Sequence, residues 1–118
     1  MNPEETVRQY LAAMERRDLA AAKALLAPDF HMVFPGGERF ETLEALVEWA
    51  KTRYRSARKT YERFDACGEA VYCFGTLYGE RLDGTPYSGI RFLDRFTVRG
   101  GRLVDQRVWN DMGEAMRQ

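Results

Sequence analysis

From Val71 to Asn110 the chain alternates between apolar and polar positions in three long runs, Val71–Arg81, Tyr87–Arg99 and Arg102–Asn110. A period of two predicts strands, and the breaks at Asp83-Gly84-Thr85-Pro86 and Gly100-Gly101 predict a turn and a tight hairpin. Tyr61–Ala66 reads as a further strand ahead of Gly68. In the middle run Ile90, Phe92, Asp94, Phe96 and Val98 share one face, while Arg91, Leu93, Arg95, Thr97 and Arg99 share the other. The first face is apolar apart from one carboxylate. A carboxylate between two phenylalanines needs a partner or a proton, so Asp94 is the first place to look for chemistry.

The front of the chain has helical spacing instead. Asn2 can cap a helix with Pro3 at its first position and Glu5 at its third, and Val7, Tyr10, Leu11 and Met14 form one apolar stripe. Asp18 can cap a short second helix, Leu19–Leu26, which Pro28 would end. Phe30, Met32 and Phe34 alternate with His31 and Val33 in a short strand that Pro35-Gly36-Gly37 stops. Thr42 can cap a third helix carrying Leu43, Leu46, Val47, Ala50 and Tyr54, with Trp49 flanking the stripe. Lys51, Arg53, Arg55, Arg58 and Lys59 crowd its end and read as a solvated helix terminus, where cations suit the helix dipole. Helices gathered at the front and a strand meander behind mean α+β. Long strands in so short a chain should curl around the third helix into a cone with a cavity.

Composition narrows the partners. Eighteen basic residues balance eighteen acidic ones, which argues against nucleic acid or an anionic membrane surface as the main partner. No apolar run approaches the roughly 20 residues of a membrane span, and the first residues lack the basic and apolar blocks of a signal peptide, so a cytoplasmic location is expected. Cys67 and Cys73 read as reduced thiols; with a single histidine and no ligand spacing, neither a metal nor a cofactor is implied. Residues 1–118 show no linker or repeat and read as one domain.

The order of elements resembles the NTF2-like superfamily, in its SnoaL-like (polyketide-cyclase-like) and ketosteroid-isomerase-like branches. The resemblance rests on Val7-Arg8-Gln9-Tyr10-Leu11-Ala12-Ala13-Met14 with Asp18-Leu19, on Asp29-Phe30-His31-Met32-Val33-Phe34-Pro35-Gly36, on Leu93-Asp94-Arg95-Phe96, and on Gly101-Arg102-Leu103-Val104 with Trp109-Asn110-Asp111. It implies a cone of about three N-terminal helices on a strongly curved, mostly antiparallel sheet enclosing a hydrophobic pocket. It also implies a homodimer through the sheet face, for which Arg91, Arg95, Arg99 and Arg107 would suit a polar interface. Ketosteroid isomerases hold a dienolate oxygen with a tyrosine and a protonated aspartic acid. Tyr10 and Asp94 fill those places, so the resemblance makes them the catalytic pair, with Asp94 a proton-keeping donor. The isomerases' general base falls at Phe34, and the acid that SnoaL-like and epoxide-hydrolase proteins carry on the last strand falls at Val108. Epoxide hydrolases also use charged residues where Tyr72, Phe74 and Thr76 stand. The resemblance thus implies either an isomerase, cyclase or dehydratase working through an enolate-like species on a ring-containing carbonyl compound, or a non-catalytic binder or dimeric scaffold lacking the base.

The remaining lining is expected from alternation and alignment together. Tyr72, Phe74, Thr76 and Tyr78 share a face that should line the pocket, with Phe92, Gln106 and Asn110 beside them and Phe34 and Trp49 closing it. His31 is expected outside the cone or at a dimer face; with the opposite phase it would be the one group able to replace the missing base near neutral pH.

Overall fold

The computed structural model describes residues 1–116. Its first helix, α1 (Pro3–Glu15), opens on the expected capping box: the Glu5 N–H donates to Asn2 Oδ1 at 2.8 Å, and the Asn2 N–H donates to Glu5 Oε1 at 3.2 Å. It closes on a Schellman motif, in which the Arg17 N–H donates to the Met14 carbonyl at 3.1 Å and the Asp18 N–H to the Ala13 carbonyl at 2.9 Å. The motif places Arg17 at φ 62°, the one non-glycine residue among those described in the left-handed region.

The second helix, α2 (Leu19–Lys23), is capped by Asp18 as expected but ends sooner than Leu26. The sheet claims the residues after it. The Leu103 N–H donates to the Leu25 carbonyl at 2.8 Å, and Arg102 donates to the carbonyls of Ala24 and Leu26. Strand β1 therefore begins at Leu26 and runs to Phe34. Pro28, expected as a helix stop, lies inside it, where pairing slips between Leu26 and His31 and a missing N–H costs no ladder bond.

After a 3-10 turn at Pro35–Gly37 comes β2 (Glu38–Phe40), a short strand that sequence pattern did not reveal, and then α3 (Leu43–Lys51), capped by Thr42. The meander is β3 (Ser56–Cys67), β4 (Ala70–Glu80), β5 (Pro86–Arg99) and β6 (Arg102–Asn110), with a short α4 (Met112–Ala115) after it. The six strands form a curved, unclosed sheet in the order β2-β1-β6-β5-β4-β3, antiparallel except for β1 against β6. Gly100 and Gly101, at φ 61° and 76°, make the hairpin between β5 and β6. No helix among the described residues is long and apolar enough to cross a membrane.

Two glycines show where the sheet curls. A Cβ placed on Gly75 would lie 2.0 Å from the Thr60 carbonyl oxygen, and one on Gly79 would lie 2.2 Å from that of Ser56. The β3 backbone occupies the space a side chain would need, so at both points β3 folds over β4. A register shift between Tyr61 and Arg63 adds a kink to the same strand. The concave side that results carries Val71, Cys73 and Leu77 from β4, Phe92, Asp94 and Phe96 from β5, and α1 lays Val7, Tyr10 and Leu11 against this side.

The expected phase of β4 is thereby corrected. Cys73 pairs with Asp94 and Gly75 with Phe92, while Tyr72 pairs with Arg95, Phe74 with Leu93 and Thr76 with Arg91. Paired residues share a face. Tyr72, Phe74 and Thr76 are therefore on the convex face, the smaller alternate set looks inward, and Tyr78, at the register shift, is exposed and outside the cavity lining.

A methyl group at Gly75 cannot be accommodated by rotating a side chain, because it meets backbone. Gly75→Ala is expected to cost about 3 kcal/mol or more in urea unfolding, the upper end of overpacking penalties. A variant as stable as the parent would show that β3 can stand away from β4 at no cost.

Candidate functional site

Between the concave face and the helices α1 and α3 lies a cavity of about 560 Å³, within the range of small-molecule sites. Its deep end is built by three strands and one helix. Tyr10 comes from α1, Lys59 and Tyr61 from β3, Phe92 and Asp94 from β5, and Gln106 from β6. Tyr10 is held edge-on to Phe96 with ring centroids 6.0 Å apart and tilted to Phe30 at 6.2 Å, so its hydroxyl is carried on a fixed ring. The other end is closed by a cluster in which Phe34 meets Phe40 and Trp49, each at 5.7 Å.

The expected proton-keeping Asp94 is not what the geometry holds. Lys59 Nζ donates to Asp94 Oδ2 at 2.5 Å, with the aspartate side chain 0% exposed and the lysine side chain 24%. The carboxylate is thus an acceptor in an ion pair, and its role as hydrogen-bond donor is corrected. The partner is a lysine from β3, not a neighbouring arginine. Lys59 therefore does not belong to a solvated helix end. It sits in the strand, its ammonium 5.1 Å from the centre of the Phe92 ring.

The ion pair sets the electrostatics of the whole pocket. Burial works against the Lys59 ammonium, yet the Asp94 charge, Tyr61 and the hydrogen bond to Asp94 outweigh it and hold the pKa above that of an ordinary lysine. Burial raises the Tyr10 hydroxyl well above the ordinary tyrosine range; Lys59 opposes this and Asp94 adds to it. Burial also pushes Tyr61 and Cys73 up, each to about 12, again against the pull of Lys59. The deep end of the pocket therefore holds neutral hydroxyls and one compensated pair of charges at physiological pH, with the neutral Cys73 thiol buried close by.

Two polar atoms at the deep end are left over. The Tyr10 hydroxyl and Asp94 Oδ1 are both buried and have no hydrogen-bond partner in the structure. One can donate, the other can accept, and the residues of both line the same cavity. An unsatisfied buried polar atom costs roughly 1–3 kcal/mol, a cost that a bound molecule offering both an acceptor and a donor would remove.

Of the lining expected from sequence, the structure brings Asp94, Tyr10, Phe34, Trp49, Phe92, Gln106 and Asn110 together. Tyr72, Phe74 and Thr76 are outside it, because their register against β5 turns them to the convex face. Asn110 spends its Oδ1 on the Met112 N–H at 3.0 Å, which starts α4. His31, half-buried beside Asp105 on the other face of β1, takes no part in the cavity. The residue that sequence pattern missed is Lys59. The signal was available: Ala57, Lys59 and Tyr61 alternate, and all three line the cavity.

Comparison with known proteins agrees with this architecture. The family model described as the SnoaL-like domain matches residues 7–106. No curated protein sequence matches. Among solved structures, an NTF2-like protein of unknown function from Burkholderia pseudomallei is 25% identical with a TM-score of 0.88, over 99% of this chain and 96% of that one. TerC, crystallised with polyporic acid, is 21% identical with a TM-score of 0.87, over 98% and 95% of the two chains. IdmH from Streptomyces antibioticus, a candidate polyketide cyclase, is 20% identical with a TM-score of 0.81, over 99% and 96%.

The ion pair can be tested as a unit. Lys59→Met strands a buried carboxylate and is expected to cost about 3–5 kcal/mol in urea unfolding, whereas adding Asp94→Leu should restore most of the loss. Simple additivity of the two changes would mean that the two side chains do not act as a pair. The same linkage limits the parent at alkaline pH. Lys59 has its folded pKa raised, so its contribution is complete below the unfolded value of 10.5 and is lost as pH rises beyond it; the double variant should lose that part of the alkaline decline.

Proposed function

The chain belongs to the SnoaL-like family, and from that membership we propose that its cavity binds a small, ring-containing carbonyl compound and moves a proton next to the carbonyl through an enolate. The observation that carries this reading is the pair of unpartnered buried atoms, a donor on Tyr10 and an acceptor on Asp94, flanking one ammonium. Asp94 Oδ1 takes a proton from the carbon beside the carbonyl. The electrons of that C–H bond become the C=C of an enolate, whose oxygen receives hydrogen bonds from Lys59 Nζ and the Tyr10 hydroxyl. Return of the proton to a different carbon gives an isomer; attack of the enolate carbon on a second carbonyl closes a ring. Preorganised donors of this kind are worth about 3–4 kcal/mol at a developing oxyanion, and a positioned base adds about 10²–10⁴-fold.

The polyketide-cyclase neighbour and the ligand-bearing TerC crystal support a small-molecule occupant. A second reading, a binder without catalysis, is favoured by Phe34 and Val108. They stand where related enzymes keep an acid, and Phe34 is committed to packing against Phe40 and Trp49.

We also place a second copy of the chain on the convex sheet face. Trp109 is 52% exposed there, in one rung with Leu93 beside it and Phe74 beyond Leu93, and large apolar side chains left open on a sheet suit a partner of the same kind. The convex arginines are already engaged within the chain, Arg91 by Asp111 and Arg99 by Glu69, so the apolar rung rather than an arginine array would carry the contact.

Deuterium exchange beside the carbonyl of 2-tetralone, followed by NMR, should be accelerated by the protein and fall about 10²-fold or more in Asp94→Asn; binding without acceleration would select the second reading. Sedimentation should give a dimer that Trp109→Glu converts to monomer, and a parent that sediments as a monomer would end the dimer proposal.

A further inference from the structure

The rim of the cavity is unlike its interior. The exposed residues that line it include Glu15, Arg17, Lys51, Arg53, Arg55 and Arg58, five cations against one anion, in a chain whose net charge is +0. Glu15 is taken by Arg58 at 3.4 Å, and Lys51 by Glu48 at 3.1 Å. Arg17, Arg53 and Arg55 have no carboxylate partner among the described residues.

Helix dipoles do not account for this excess. A cation suits a helix C-terminus within its last turn. The last turn of α1 carries no basic residue, and that of α3 carries only Lys51. The three unpaired arginines lie just past the last turns, Arg17 after α1 and Arg53 and Arg55 in the segment between α3 and β3, and all three line the cavity, Arg55 with its guanidinium against Gly84. The half-buried Tyr54 at this rim registers two of them: burial raises its pKa, while Lys59 first and then Arg17 and Arg53 pull it back.

Arg17 adds an independent observation. It holds the left-handed position of the Schellman motif, where glycine is the residue without strain. Strain of that kind persists where the side chain is needed. What its guanidinium gains in exchange is a place on the cavity rim. Arg53, for its part, is fixed over the Trp49 ring at 4.7 Å, so its fork is oriented before any ligand arrives.

We infer that the cavity takes an amphipathic anion, with an apolar ring body inside and a carboxylate or phosphate at the rim between Arg17, Arg53 and Arg55. This names a substrate class and rests on the reading of the cavity as a small-molecule site. The interior offers no uncompensated charge, because Lys59 and Asp94 cancel; the rim does, and a planar oxyanion matches the guanidinium fork. The ligand is thereby oriented, its charged end outward and its carbonyl toward Lys59 and Tyr10.

The test compares (2-naphthyl)acetate, its neutral methyl ester and 2-naphthyl phosphate by calorimetry on the full chain. The acid should bind about tenfold more tightly than the ester, the weight of roughly one charge-assisted contact. That ratio should collapse toward one in Arg17→Gly and in Arg53→Gln, and shrink with added salt. It is a ratio of two ligands on one protein, so a folding defect, which lowers both, does not imitate it. Arg17→Gly should also raise the unfolding midpoint while it removes the preference for the acid. The phosphate arm separates the two anions: a phosphate preference that depends on the same arginines supports the inference with phosphate as the charged group. Equal binding of acid and ester by the parent overturns the inference and leaves the cavity reading intact. Binding of none of the three overturns both.

Discussion

The structure turns on one contact, the hydrogen-bonded ion pair between Lys59 and Asp94. It cannot form in a flat sheet. Lys59 pairs with Leu77, Leu77 with Ile90, and Asp94 lies four residues farther along β5. With two strand spacings across and four residues along, a flat sheet would separate the two Cα atoms by about 16 Å. That is beyond the combined reach of a lysine and an aspartate. Only a sheet that curls inward brings them to 2.5 Å, and the curl passes through Gly75, midway along the inner face of β4 between Cys73 and Leu77. Gly75 has no side chain because β3 needs the room, and the lysine stem needs a path across β4. Fold and site thus share a cause: the glycine that lets the sheet curve also lets the charges meet.

Such a pair is a poor source of stability, since desolvating two ions costs about what their attraction returns. Its interest lies in the buried polar atoms it leaves without a partner beside the cavity. One carboxylate oxygen is spent on Lys59 and the other is free; the ammonium keeps hydrogens to donate; the Tyr10 hydroxyl stands unpaired nearby. As a neutral acid Asp94 could both donate and accept; as the ionised partner of Lys59 it is an acceptor only, and the hydrogens at this spot belong to the lysine. On the proposed enolate reading, the base that Phe34 cannot supply would be Asp94, the residue that the ketosteroid-isomerase resemblance assigned to oxygen binding.

Much of the architecture was written in local pattern. The capping box of α1, the Thr42 cap, the glycine hairpin and the three alternating runs each have a short-range cause, and each appears within a residue or two of where it was expected. What failed depended on distant partners. The second helix lost its end because Leu25 and Leu26 found β6. The phase of β4 was misread because both its faces are apolar: Tyr72, Phe74 and Thr76 outnumber Cys73 and Gly75 in bulk, and bulk suggested core. The deciding fact was pairing with β5, and the register shift near Tyr78 hides it from a count outward from the turn. Lys59 was hidden by company, one cation in a basic run, although its alternation with Ala57 and Tyr61 set it apart.

That basic run divides by depth, and the division explains how one neutral chain can present a charged entrance to an apolar interior. Lys59 alone is carried inward, because β3 has started and its alternate side chains face the concavity. Arg53 and Arg55 precede the strand and stay in solvent, beside Arg17 from the end of α1. Charge on the inside is cancelled within 2.5 Å; charge at the rim is left over. A field of that shape fixes direction more than affinity. On the inferred binding mode, an oxyanion would sit where water still screens it, and a carbonyl would meet its donors where water is excluded and their hydrogen bonds are strongest. The few residues between the end of α3 and the start of β3 would then separate recognition from chemistry.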